Sequence, residues 1–262
     1  LASALAISQI MVIIMNWALM KWFGVTEQAI FGAAWQLNTL VGYVFSPYAE
    51  LSKREFAVLY ADKKQLNVRL DQALRLMFWI TSYFSIFIGI GADWILPVIY
   101  GDKYTGAHLV TLLIMYYTIY QAWGQITGSL MLGLELTRLN AIFTVAGQMM
   151  TLAAVFIFQI PNFIWPQGLG ATGIALNYLT VCFFITQTRI IVLGKKLGMK
   201  VIRELTIQIL PLVLCTVLSM GLKCALNGVI QTESIGSNFL KIGISGVVYT
   251  VVIVGIVWRY PS

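Results

Sequence analysis

Apolar residues run through this chain in long blocks separated by short polar gaps. The stretch from Ile95 to Asn140 sets the pattern: the end of one apolar block, a polar turn, a whole apolar block, and a second turn. The first turn, Gly101-Asp102-Lys103-Tyr104-Thr105-Gly106, is made of residues that favour turns over helix interiors. The block Ala107 to Gly133 contains no Asp, Glu, Lys or Arg. As a helix it is about 40 Å long at 1.5 Å per residue, enough to cross a bilayer with tilt. A soluble protein has no way to bury so much apolar helix on every side. The length criterion marks eight such blocks, at roughly 1–22, 29–49, 74–99, 107–133, 139–160, 168–193, 205–226 and 238–258. The expectation is an all-α, polytopic membrane helix bundle: eight transmembrane helices in a single domain over 1–262.

The basic residues support this division. Thirteen of the 17 fall in one set of alternate gaps: Lys53, Arg54, Lys63, Lys64, Arg69, Arg75, Arg138, Arg189, Lys195, Lys196, Lys200, Arg203 and Arg259. The other four, Lys21, Lys103, Lys223 and Lys241, fall in the opposite set. By the positive-inside rule both ends are cytoplasmic and the protein sits in the cell (cytoplasmic) membrane. The longest polar section, Leu51 to Arg75, carries Leu59, Leu66, Leu70 and Leu74 at helical spacing among cations. It reads either as an amphipathic helix on the inner leaflet or as an ordinary solvated loop helix.

Composition agrees: 59% hydrophobic, 10% charged, mean hydropathy +0.84. The net charge of +7 does not indicate nucleic acid, because the cations form no continuous stripe. Cys182, Cys215 and Cys224 lie in or near apolar blocks with no C-x-x-C, as packing residues do. Leu1 opens an apolar run with no basic leader, so the chain is expected to be a fragment lacking its N-terminal part.

No metal, cofactor or catalytic group is expected. The one histidine, His108, stands beside a turn, and no H-E-x-x-H, Walker A or G-x-S-x-G occurs, so the chain is read as a non-enzyme. Gly168-Leu169-Gly170-Ala171-Thr172-Gly173 matches G-x-G-x-x-G, but an apolar helix and a Pro-rich turn precede it rather than a strand. Its glycines are expected to serve close packing. Gly124-x-x-x-Gly128 likewise permits close helix approach.

The polar residues inside the blocks are the candidates for a pathway. Asn16, Gln36, Asn38, Gln148 and Asn177 carry amides that bind hydroxyls as donors and acceptors without bringing a charge into the membrane. Interhelical hydrogen bonding explains them equally well. Thr144, Gln148 and Thr151 share one helical face. Asp93 is the acid set furthest into an apolar block and is a candidate for ion coupling, although Trp94 and two nearby glycines place it at an interface and a break. Pro47 and Pro211 are expected to kink their helices.

Read together, Tyr100-Gly101-Asp102-Lys103-Tyr104-Thr105-Gly106-Ala107, Leu132-Gly133-Leu134-Glu135-Leu136-Thr137-Arg138, the turn Gly168 to Ala175, and Trp22-Phe23-Gly24 through Gly32 to Pro47 carry a resemblance. It covers nearly the whole chain. The chain resembles the C-terminal half of polysaccharide and lipid-linked oligosaccharide flippases of the multidrug/oligosaccharidyl-lipid/polysaccharide exporter superfamily. The resemblance implies a two-lobed, alternating-access exporter, with this chain as the C-terminal lobe plus two further helices. It implies a lipid-linked glycan substrate, membrane lipids around the bundle, a missing N-terminal lobe as partner, and glycan-synthesis machinery nearby. Relatives often place an acid eight residues before the glycine at position 24. Asn16 stands there, so ion coupling through Asn16 is an altered form of that pattern. A cation-coupled drug or metabolite antiporter of the same superfamily, and a non-transporting component of a glycan-synthesis complex, are the alternatives.

Overall fold

The computed structural model describes residues 2–160, 168–198, 206, 208–230 and 234–259. Among them are nine α-helices and no strand: α1 (Ala2–Phe23), α2 (Val25–Val58), α3 (Lys63–Ile90), α4 (Ala92–Tyr100), α5 (His108–Gly133), α6 (Thr137–Phe158), α7 (Gly170–Leu197), α8 (Ile209–Val229) and α9 (Ile235–Arg259). Short 3₁₀ turns cover Leu59–Ala61 and Asp102–Ala107.

Several ends differ from the expected blocks for identifiable reasons. The block at 29–49 ends where charges begin, but α2 continues to Val58, because nothing between Glu50 and Val58 breaks a helix. It also runs unbroken through Pro47, whose side is exposed. The section Leu51 to Arg75 is therefore not a separate surface helix. It is the end of α2, a 3₁₀ turn, and the start of α3, where the Asp62 carboxylate accepts from the backbone of Lys64 (3.0 Å) and Gln65 (3.1 Å). Leu66, Leu70 and Leu74 are buried in the protein core rather than turned to lipid. The block at 74–99 is two helices. Gly91 joins them, and a Cβ there would sit 2.9 Å from the Phe87 carbonyl. Pro211 lies in the first turn of α8, where its missing N–H removes no bond within Ile209–Val229.

The core is centred on α5, which packs on α2, α3 and α7. Trp123 on α5 is fully buried, meets Phe78 edge-on at 5.2 Å, and donates from its indole to the Leu74 carbonyl at 3.0 Å. α1 lies against α2 and α6, and α8 and α9 lie against α3 and α4. The outer residues of α8 and α9, such as Val213, Val217, Val247 and Val251, are exposed and apolar.

Among the described residues, five helices are long and apolar enough to cross a membrane: α3, α6, α7, α8 and the Ile235–Ile256 part of α9. They are consistent with a multi-pass membrane protein. The described part of α1 contributes a shorter apolar stretch, Gln9–Phe23, and the expected blocks in α2 and α5 fall short of the same measure. For α5 the cause is composition: Gln121, Gln125, three tyrosines and three glycines lower its mean hydropathy although it holds no Asp, Glu, Lys or Arg.

Contacts between helix ends join like with like. Lys223 pairs with Asp93, and Lys241 lies over the Trp94 ring at 5.8 Å. Asn67 donates to the Leu197 carbonyl at 3.1 Å, and Arg69 pairs with Glu55 at 3.2 Å. Each contact stays within one set of alternate gaps.

Candidate functional site

The five amides do not form one cluster. Asn16 is half-buried and donates to Val12 O of its own helix at 3.1 Å. Gln36 is exposed and accepts from the Tyr100 hydroxyl at 3.0 Å. Asn38 is buried and accepts from Thr118 at 2.8 Å, tying α2 to α5. Asn177 is buried and donates to the Thr151 carbonyl at 3.0 Å, tying α7 to α6. Gln148 is half-buried and makes no hydrogen bond among the described residues. Asn38 and Asn177 thus act as buried interhelical tethers, Gln36 joins α2 to α4 at the surface, Asn16 bonds its own helix, and Gln148 makes no bond among the described residues.

Asp93 opens α4, half-exposed, with Lys223 of α8 paired to it and His108 Nδ1 at 4.0 Å. Beside it the Trp94 indole donates to Asn227 at 3.2 Å. These contacts fasten α4 and α8 together at one end of the bundle.

The G-x-G-x-x-G segment is filled by the protein itself. Gly170 starts α7, and the backbone N–H of Ala171 donates to the Glu27 carboxylate at 2.8 Å. A Cβ on Gly170, which has φ +52°, would lie 2.6 Å from that carboxylate. A Cβ on Gly173 would lie 2.7 Å from the Phe158 carbonyl. The anion at this helix start is therefore a side chain of the same chain, and the glycines serve packing.

Two features escaped the sequence pattern. The first is an aromatic quartet across three helices: Phe31 and Trp35 on α2, Tyr117 on α5 and Tyr178 on α7. Trp35 stacks on Tyr117 at 5.7 Å and lies 5.1 Å from Tyr178, while Phe31 stacks on Tyr178 at 6.1 Å. Trp35 and Tyr178 are half-buried. Neither the Tyr117 nor the Tyr178 hydroxyl has a hydrogen-bond partner among the described residues. Phe31 and Trp35 sit one helical turn apart, a visible hint, but nothing in the sequence shows which rings join them.

The second is Arg189. Charge bookkeeping assigned it to a gap, yet it lies inside α7, about 9 Å deeper than Lys195 along the axis at 1.5 Å per residue. The signal was the apolar run Ile190-Ile191-Val192-Leu193 that follows it. Its Nη1 donates to the Gly124 carbonyl at 3.2 Å, and its guanidinium lies 5.7 Å from the Phe143 ring centre. Tyr178 and Arg189 are eleven residues apart, about three turns, and so lie along one face of α7.

No family model, no curated protein and no solved structure matches this chain. Function therefore rests on the geometry of the chain itself.

Proposed function

We propose that this chain is the C-terminal lobe of a multi-pass transporter with eight membrane spans and both ends cytoplasmic, which flips lipid-linked oligosaccharide or polysaccharide precursors across the cytoplasmic membrane by alternating access. The observation that supports it is the aromatic quartet. Trp35 and Tyr178 form a half-buried, uncharged aromatic surface backed by the buried Phe31 and Tyr117, and such a surface suits a pyranose ring. The negative ring faces meet sugar C–H groups, and the Tyr178 hydroxyl, which has no partner among the described residues, exchanges hydrogen bonds with sugar hydroxyls. The five amides belong to the same reading as uncharged pathway groups, with Asn16 and Gln36 the ones turned away from the core. Glycan-synthesis enzymes would supply the cargo at the inner face.

The test is transport of a fluorescent polyprenyl-linked sugar by the full-length protein in liposomes. Trp35→Leu keeps the bulk of the helix contact but removes the platform. It is expected to slow flipping severalfold with little change in thermal stability. Flipping at the wild-type rate would remove the quartet from the pathway.

The eight-span topology has its own check. Single cysteines at Lys63 and Lys195 are expected to stay unlabelled by an impermeant maleimide in intact cells, while one at Lys103 labels. Labelling at 63 without labelling at 103 would invert the arrangement.

A further inference from the structure

We infer that Asp93 is a two-position clasp, held by Lys223 of α8 in this structure and passed to Lys241 of α9 in a second conformation. The starting observation is Lys241. It lies in the second turn of α9 and is only 4% exposed, although a lysine is seldom buried without an acid beside it. Among the described residues its one charge contact is the face of the Trp94 ring, whose centre lies 5.8 Å from the ammonium. A ring face attracts a cation less strongly than a carboxylate does.

The acid next to that ring is Asp93. It opens α4 one residue before Trp94, and its carboxylate already serves two groups: Lys223 holds Oδ2, and His108 Nδ1 lies 4.0 Å from Oδ1. α8 and α9 pack on one another, so two lysines from adjacent helices converge on the first turn of α4. One carboxylate is shared between them. Whichever lysine holds it leaves the other without an acid, and two competing pairings of one group make a bistable element.

α4 is built to follow the acid. It is nine residues long and stands between Gly91 and Gly101, whose φ of +82° suits glycine alone. Beside Gly91 and Trp94 lies a cavity of about 10 Å³, room for one water, lined by Ser219 and Lys223 of α8 and by Ser245 of α9. The first turn of α4 therefore faces hydroxyls and a water-sized space on the side of both lysines, rather than a filled apolar wall. Besides the ion pair, one side-chain hydrogen bond holds this turn to α8, from the Trp94 indole to Asn227 at 3.2 Å. Passing Asp93 to Lys241 loosens α4 from α8 and tightens it against α9. The clasp stands whether or not the chain moves a glycan.

The test treats the full-length protein in nanodiscs with a water-soluble carbodiimide, which joins a carboxylate to an amine where the two touch. Asp93 is half-exposed and open to the reagent. Peptide mapping by mass spectrometry then reads which lysine carries the amide. The wild type is expected to give both products, Asp93–Lys223 in excess and Asp93–Lys241 as the minor one. Lys223→Gln frees the carboxylate and is expected to raise the Asp93–Lys241 amide severalfold. Lys223→Arg still holds the carboxylate but forms no stable amide, so its yield of the Lys241 product should stay well below that of Lys223→Gln. An Asp93–Lys223 amide in the wild type with no Asp93–Lys241 amide overturns the proposal. Equal yields of the Lys241 product in Lys223→Arg and Lys223→Gln also overturn it, because the lysines would then not be competing for the acid. If Lys223→Gln does not accumulate, the two products in the wild type carry the test.

Discussion

Trp123→Ala is expected to cost about 3–5 kcal/mol of stability, the range for removing a fully buried aromatic side chain. The ring is completely buried where α5 meets α3 and touches Phe78 edge-on at 5.2 Å. Lipid tails are as apolar as the core, so the loss is one of packing and not of water exclusion. The cavity would open beside α5, the helix that α2, α3 and α7 all pack against. Trp123→Phe keeps most of the ring and loses the indole bond to the Leu74 carbonyl, so it should cost about 1–2 kcal/mol. Thermal unfolding of the purified protein in detergent measures both. Equal losses would show that the hydrogen bond, not the filled volume, holds α5 to α3.

Glu27→Ala is expected to cost about 2 kcal/mol, the scale of a charged hydrogen bond to an otherwise unpaired backbone donor. Glu27 reaches from the first turn of α2 to the Ala171 N–H at the start of α7 and sits against the positive end of that helix. Gly170→Ala should be destabilising for two reasons: its positive φ and the 2.6 Å approach to the same carboxylate. The two substitutions share a partner, so the double variant should lose less than the sum of the singles. Strict additivity in the same unfolding assay would mean that the carboxylate does not occupy the space beside Gly170.

Much of the fold was legible because membrane helices announce themselves by length. The break at Gly91 and the packing role of Gly168, Gly170 and Gly173 followed from glycine placement alone, whereas Gly124 and Gly128 meet only side chains, Thr186 at 3.3 Å and Arg189 and Asn140 at 3.7 Å. Helix ends were less legible, since polarity marks where a helix leaves an apolar layer and not where it stops. α2 therefore runs nine residues past the expected end at 49, to Val58, and absorbs part of a section that looked like a surface helix. The same confusion hid Arg189, whose charge suggested a gap while α7 continued to Leu197.

The site was less legible still. Amides stood out singly, but their partners are distant in sequence: Asn38 meets Thr118, and Asn177 meets Thr151. Those two are spent on holding helices together. The quartet of Phe31, Trp35, Tyr117 and Tyr178 needs three helices to be brought side by side before it exists. Periodicity along one helix carries no information about that meeting.

The most direct measurement is flipping itself. Full-length protein in liposomes is given a fluorescent polyprenyl-linked sugar in both leaflets, and an impermeant quencher is added outside. Transport of a lipid-linked glycan predicts that the inner-leaflet signal falls with time, faster than in protein-free liposomes and more slowly in Trp35→Leu. An inner-leaflet signal as persistent as in protein-free liposomes, with the protein folded and inserted, would contradict it.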